Sequence, residues 1–171
     1  MVEVVIDSIR VSLVSQHRIV LLKEIDSDRQ LPIWIGPCEA DAITIELQDV
    51  KVARPLTADL VNLVTKELGG TISHVLTREL SEQVFHASLF IDFDDDVREI
   101  DCRPSDAIAL AVRAKVPILV NEAVLEEAGV KPEPDLIQET EAGESEGDVG
   151  NLDAFTDFLD TLDFDDFEGE S

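Results

Sequence analysis

The basic residues of this chain all lie before position 132, and this charge break bounds the part that can fold. Of the 38 acidic residues, 15 fall in positions 133–171, where no Lys or Arg occurs. The first 132 residues therefore hold 23 acids against 13 bases, a net charge of −10. A stretch with so many like charges repels itself and buries little apolar surface. We expect one folded domain at 1–130 and an acidic, mostly disordered tail at 131–171.

The folded part shows strand patterns in clusters, separated by helical patterns. Period-two alternation and short apolar runs predict strands at 2–14, 18–24, 31–35, 72–77, 84–93, 97–101 and 117–120. Apolar residues at helical spacing, with prolines and glycines at the ends, predict helices at 37–50, 57–68, 104–114 and 122–128. This order favours a single α+β domain in which helices pack on a mixed β-sheet, over a regular βαβ series.

Two of the predicted helices have specific expectations attached. In the helix at 57–68, Thr57 is the expected N-cap, and Leu60, Val64 and Leu68 form the apolar stripe. The helix at 104–114 has small residues nearly all round, which predicts burial on more than one side.

The same two helices begin with similar segments, Arg54-Pro55-Leu56-Thr57 and Arg103-Pro104-Ser105. A helix N-terminus presents unpaired N–H groups and the positive end of the helix dipole, both of which favour a phosphate. An adjacent arginine adds a bidentate donor. We therefore expect Arg54, Thr57, Arg103 and Ser105 to bind substrate, on the hypothesis that both entrances face one cleft.

Four acids lie near these helix entrances: Glu39, Asp59, Asp101 and Asp106. Clustered carboxylates are the ligands that Mg²⁺ and Mn²⁺ prefer, and bound divalent ions assist phosphoryl displacement. All four are candidate metal ligands, and Asp59, Asp101 and Asp106 are candidate catalytic residues. A structural interpretation stays open, because acids in the first turn of a helix stabilise it without any ligand.

The remaining polar candidates are weaker. His74 and His86 lie on strands of one predicted hairpin and would act as acid and base if their side chains met. Cys38 and Cys102 are expected to be small core residues, since neither has a partner histidine nearby in sequence. No signal peptide or bilayer-length apolar run is evident, so a cytoplasmic location is expected.

Three segments closely resemble the bifunctional nuclease family: Leu31-Pro32-Ile33-Trp34-Ile35-Gly36, Arg54-Pro55-Leu56-Thr57, and Asp101 to Ala111, which contains Arg-Pro-Ser-Asp-Ala-Ile. The resemblance is collinear over about three quarters of the chain. It implies a mixed sheet with helices, self-association as a homo-oligomer, with a dimer expected first, and nuclease activity on DNA and RNA. Ala58 stands where family members usually have His, and His86 where Tyr is common.

The sequence thus supports two main functions, and binding of a small anion or nucleotide at the same helix entrances is a minor third. The first is a nuclease that hydrolyses phosphodiester bonds of DNA or RNA with help from a divalent metal. The alternative is a non-enzymatic binding or regulatory module whose acidic tail recruits a protein partner. In that tail Leu152, Phe155, Leu159 and Leu162 follow helical spacing, which predicts a short amphipathic helix at 151–162.

Overall fold

The computed structural model describes residues 1–11, 17–94 and 96–131, so the tail and its expected helix at 151–162 lie outside the described residues. Within the described part, seven strands and four helices follow in the order β1 (Val2–Val11), β2 (Arg18–Glu24), β3 (Gln30–Ile35), α1 (Pro37–Leu47), α2 (Thr57–Glu67), β4 (Thr71–Ser81), β5 (Val84–Phe93), β6 (Asp96–Cys102), α3 (Pro104–Ala114), β7 (Ile118–Val120) and α4 (Glu122–Ala128). The α+β class is confirmed.

The strands form one mixed sheet in the order β3-β2-β1-β7-β4-β5-β6. The pairing of β4 with β7 is parallel, and the other pairs are antiparallel. Helix α4 packs on both β3 and β4, although three strands separate these in the sheet order. The sheet therefore curves around the helices, and this curvature brings the end of β3 towards the β4–β5 hairpin.

Helix α3 is the central helix of the domain. It packs against α1, α2, β4 and β5, and seven of its residues are buried, from Pro104 and Ser105 through Ala107–Ala111. Small side chains allow neighbours to approach the helix from several directions at once, so the predicted burial on more than one side is confirmed. The position of α3 fixes what surrounds its N-terminus, where the candidate site lies.

Helix α2 differs from the sequence prediction in two ways. Leu56 is its N-cap and Thr57 its first helical residue, so Thr57 does not cap the helix. The expected core stripe faces solvent: Leu60 is 56% exposed and Leu68 72%, while Thr65 is buried instead. The Thr65 hydroxyl donates to the Val61 carbonyl at 2.9 Å, so its burial leaves no hydroxyl proton unpaired.

Helix α1 is shorter than predicted. It ends at Leu47 rather than at position 50, and Asp49 then adopts a positive φ of 50°. Ala40 and Ile43 are buried as the spacing indicates, but Leu47 and Val50 are exposed. Among the residues that the structure describes, none of the helices combines the length and the apolar character that crossing a membrane demands.

Candidate functional site

Arg103 joins the N-terminal ends of two helices that are far apart in sequence. Both helices begin with proline, Pro37 in α1 and Pro104 in α3, whose fixed φ suits the first helical position. The Nε and Nη2 groups of Arg103 donate to both carboxylate oxygens of Asp106, at 2.7 and 2.9 Å. Its Nη1 donates to Oε1 of Glu39 at 2.9 Å. Two carboxylates and one guanidinium are thereby held in a single cluster.

Gly36 gives the Glu39 carboxylate its place in this cluster. A Cβ at position 36 would lie 2.2 Å from Oε2 of Glu39, so any larger residue would push that carboxylate aside. Gly36 directly precedes α1, and Glu39 lies in the first turn of the helix. The local sequence therefore bends the acid back towards the helix entrance.

The cluster keeps both charge and unused donors. A guanidinium has five N–H groups, and three of those of Arg103 are used by the two acids. Hydrogen bonding to Asp106, the charge of Asp106 and hydrogen bonding to Glu39 raise the pKa of Arg103 further above its ordinary value, so it stays positive. With both carboxylates ionised the cluster has a net charge of about −1, which repels a phosphate unless a cation offsets it.

A cleft of about 300 Å³ opens beside this cluster. Four separate segments form it: the end of β3, the start of α1, the β4–β5 turn and the start of α3. Arg103 is exposed on it, whereas Ser105 is buried in its wall. The lining residues are Ile33, Trp34, Ile35, Gly36, Glu39, Gln83, Val84, Phe85, Arg103, Pro104 and Ser105.

Asp59 lies in a different environment, at the entrance of α2. Its Oδ2 accepts the backbone N–H of Leu56 at 2.7 Å, and its Oδ1 accepts Nε of Arg113 at 2.6 Å. Arg113 is only 3% exposed and also donates to the carbonyls of Ala109 and Ala42, at 2.9 and 2.8 Å. The carboxylate of Asp59 thus ties α2 to α3, as a structural residue would.

The Asp59 region lines a second cavity, of about 390 Å³, together with Arg54 and Asn62. No residue lines both this cavity and the cleft beside Arg103. Arg54 and Thr57 are exposed at the start of α2. The entrances of α2 and α3 therefore lie at two separate cavities and do not face one cleft as predicted. The side-chain oxygen of Asn62 is buried and lacks a hydrogen-bond partner among the described residues.

Asp101 belongs to a third group, on the strands. Its Oδ1 accepts Nη2 of Arg78 at 2.6 Å, while Nη1 of Arg78 donates to the Ser88 hydroxyl at 2.6 Å. Ser88 is fully buried and donates to Glu99 at 2.7 Å. Asp101 therefore belongs to a network across β4, β5 and β6, and hydrogen-bonds to an arginine other than Arg103.

The four predicted metal ligands do not form one ligand set. Among residues 1–11, 17–94 and 96–131, no three or more His, Cys, Asp or Glu side chains are grouped so as to hold a metal ion. Only Glu39 and Asp106 come together, on Arg103. Mg²⁺ is commonly held by one or two carboxylates when substrate phosphates and water complete its coordination, so Glu39 and Asp106 are the members of the predicted set that remain candidates for such an ion.

The histidines and cysteines of the described region add no catalytic pair. His74 is opposite Phe90 and stacks on its ring at 4.2 Å, whereas His86 is opposite Glu79. These registers separate the two histidines by five positions along β4 and four along β5, about 14–17 Å. Burial, followed by the charges of Asp106 and Asp101, raises the pKa of Cys102 to about 11, which disfavours a nucleophilic thiolate at neutral pH.

Three residues that sequence reasoning missed shape these groups: Arg113, Arg78 and Trp34. Arg113 is the one basic residue of α3 and follows the apolar run Ala107–Val112, a signal that it needs a buried partner. Trp34 lies on a strand whose sequence is apolar on both faces, and only one face of a strand is needed for the core. Trp34 lies on the second face, and its exposure on the cleft makes that face available to a ligand.

The chain is similar to known proteins along most of its length. Residues 20–133 match the model of the bifunctional nuclease domain. An uncharacterized protein of Mycobacterium tuberculosis strain H37Rv is 40% identical over 166 residues, which cover 97% of this chain and 98% of that protein. Bifunctional nuclease 1 of Oryza sativa subsp. japonica is 30% identical over 118 residues, or 67% of this chain and 36% of the rice protein. Bifunctional nuclease 2 of Arabidopsis thaliana is 29% identical over 116 residues, 66% of this chain and 35% of that protein.

Proposed function

This chain belongs to the bifunctional nuclease domain family, and we propose that it hydrolyses phosphodiester bonds of DNA, RNA or both. The plant relatives named as bifunctional nucleases are about 30% identical to it, which supports the same class of reaction. The observation that carries the proposal is the cluster of Arg103, Glu39 and Asp106 on an open cleft. A guanidinium flanked by acids at two helix entrances supplies both an anion-binding group and a proton acceptor.

In this proposal Arg103 uses its two remaining N–H groups to bind the non-bridging oxygens of the scissile phosphate. Asp106 accepts a proton from the attacking water as the new P–O bond forms. The bond from phosphorus to the leaving sugar oxygen breaks, and that oxygen takes up a proton from solvent. Ala58 offers no titratable group at the position where the family usually has His, so the proposed chemistry rests on the cluster at α3.

We propose that a divalent cation, Mg²⁺ or Mn²⁺, assists this reaction at Glu39 and Asp106. Such an ion would change the net charge of the cluster from about −1 to about +1 and supply electrostatic stabilisation to a bound phosphate. Asp59 and Asp101 are not part of this set, because each is hydrogen-bonded to a different arginine outside the cleft. Their roles in the proposal are structural.

A nuclease assay on highly purified full-length protein tests the proposal. Single- and double-stranded DNA and RNA would be incubated with and without a chelator, alongside Asp106→Ala. The matched control is Asp41→Ala, which removes an exposed acid of α1 that does not line the cleft. We expect cleavage by the wild type and the control only, and only without chelator. Cleavage that survives both the chelator and Asp106→Ala would contradict the mechanism, and an inactive wild type would contradict the function.

The second candidate is a non-enzymatic binding or regulatory module in which the acidic tail recruits a protein partner. The ion pairs of Asp59 with Arg113 and of Asp101 with Arg78 favour it, since they show acids used for structure. It requires that the purified chain leave DNA and RNA uncut. If the tail competes with nucleic acid for Arg103, deletion of residues 133–171 will raise the affinity for nucleic acid.

We also propose that the chain forms a homo-oligomer, with a dimer through α2 as the simplest case. Four large apolar side chains of α2 and that of its C-cap residue are exposed: Leu60, Val61, Leu63, Val64 and Leu68. Leu63 lines the same cavity as the exposed Val52, which extends the apolar surface towards α1. Monomers rarely expose contiguous apolar patches of more than a few hundred Å², and a second copy offers an equally apolar partner, as in homodimer interfaces.

A further inference from the structure

The one tryptophan of the chain is exposed on the cleft that contains Arg103. Trp34 lies on β3, where the neighbouring Ile33 and Ile35 are buried and Trp34 is 60% exposed. The ring of His17 meets it edge-on, with 5.8 Å between centroids and an interplanar angle of 87°. A large aromatic ring is costly to leave in water, so an exposed tryptophan that lines the same cleft as a guanidinium indicates a ligand that uses both.

The walls of the cleft separate into an apolar and a charged part. Trp34, Val84, Phe85 and Pro104 contribute apolar surface, while Arg103 and Glu39 contribute the charges. A nucleotide has the same division, with a flat base that stacks and a phosphate that takes hydrogen bonds. A volume of about 300 Å³ lies at the small end of ligand pockets and matches a single nucleotide.

The turn between β4 and β5 is an independent feature of the same cleft. Glu82 and Gln83 both have positive φ, 50° and 64°, a conformation that glycine or asparagine adopts at lower cost. Gln83 lines the cleft and brings an amide that can both donate and accept hydrogen bonds. A two-residue hairpin turn of this kind requires positive φ at both of its residues, and this tight turn fixes the position of Gln83 at the cleft.

We propose that Trp34 stacks on an unpaired nucleobase of the strand whose phosphate binds Arg103, so that the cleft selects single-stranded nucleic acid. The inference rests on the proposed function and deepens it by naming the substrate class. In a duplex both faces of each base are covered by neighbouring bases, and a side chain reaches a base face only after unstacking. An unpaired base offers its face directly and stacks on the indole ring with little dependence on sequence.

Binding and cleavage would be measured separately to test this inference. The protein contains one Trp and no Tyr, so its emission reports position 34 alone. With Mg²⁺ present, wild-type protein would be titrated with a ten-nucleotide strand of deoxythymidine, with the same strand made abasic, and with a duplex, and the strands would be checked for integrity afterwards. Trp34→Leu and the control Val97→Ala, an equally exposed residue that does not line the cleft, would be titrated with labelled strands by anisotropy.

We expect the base-containing strand to quench the emission and to bind about tenfold more tightly than the abasic strand. Trp34→Leu should lose that tenfold advantage with an unchanged melting temperature, and Val97→Ala should keep it. Equal affinity for base-containing and abasic strands, or for single strand and duplex, would overturn the inference even if cleavage occurs. Stacking without cleavage by any preparation would overturn the nuclease proposal and leave the stacking inference standing.

Discussion

Nη1 of Arg103 and Oε1 of Glu39 are 2.9 Å apart, although 64 residues separate the two in sequence. Arg103 also forms a bidentate pair with Asp106, so its planar fork of donors binds both acids at once. The geometry is exposed, with 66% of the Arg103 side chain accessible, so the pair adds little to stability. Holding the long Arg103 side chain in one conformation costs side-chain entropy. A role in binding an anion explains this cost better than stability does.

Replacing Arg103 by Lys tests that role. Lysine keeps the charge but loses the fork, so we expect turnover to fall about 100-fold, as when one preorganised donor is removed. The free energy of unfolding should change by less than about 1 kcal/mol, because the ion pairs are on the surface. The checks are steady-state cleavage kinetics and urea unfolding. Arg98→Lys is the control, since Arg98 pairs with Asp96 outside the cleft. Wild-type turnover in Arg103→Lys would show that the fork is not needed.

Asp59 is expected to act on stability rather than on turnover. Asp59→Ala removes the partner of a nearly buried guanidinium, Arg113, and the acceptor of the Leu56 N–H. An unpaired buried charge is costly, so we expect the free energy of unfolding to fall by about 2–4 kcal/mol. Urea denaturation measures it, and Arg113→Met in the Asp59→Ala background should restore part of the loss. Normal stability with lost cleavage would instead support the catalytic role predicted from sequence.

Local sequence signals predicted most of the elements because they depend on near neighbours. The strand at 18–24 and the helix at 104–114 have the predicted bounds. In each case, alternation or a proline start is sufficient evidence. The predicted N-cap of α2 was wrong because Thr57 already has helical backbone, and the extended residue before the helix is Leu56, whose side chain cannot accept a hydrogen bond; Asp59 instead accepts the Leu56 N–H.

Contacts between distant segments could not be predicted in the same way. Helical spacing shows that Leu60, Val64 and Leu68 share a face, but not which surface covers that face. Likewise, an acid in a first turn looks the same whether it meets an arginine 3 residues away, as Asp106 does, or one 54 residues away, as Asp59 does. The sequence therefore indicated the residue types of the candidate site, but only part of how these residues group in space.

The exposed face of α2 predicts self-association that charge would disrupt. Leu60→Glu with Leu68→Glu should shift the particle from oligomer to monomer, because two acids would face the same surface of the second copy. Both side chains are more than half exposed, so the monomer should keep its circular dichroism spectrum. Light scattering over a concentration series measures the mass, and Val97→Glu on β6 is the control. A wild type that stays monomeric at all concentrations would contradict the proposal.

The two cysteines should differ sharply in reactivity. Cys38 is exposed, whereas burial and the neighbouring acids raise the pKa of Cys102 to about 11. At pH 8 about one Cys102 thiol in a thousand is then ionised, and only the thiolate reacts with iodoacetamide. Mass spectrometry of native protein should find one label at pH 8 and none in Cys38→Ser.

The raised pKa of Cys102 also makes the stability of the protein depend on pH. Because the folded protein favours the neutral Cys102 thiol, its contribution to stability is complete below the ordinary pKa of 9.0 and is lost as the pH rises from there through about 11. Asp106→Asn removes one of the charges that raise this pKa, so Cys102 should be alkylated faster in that variant at pH 9. Two labels on native wild-type protein at pH 8, or no faster labelling of Asp106→Asn, would contradict the placement of Cys102 in a partly buried position close to these acids.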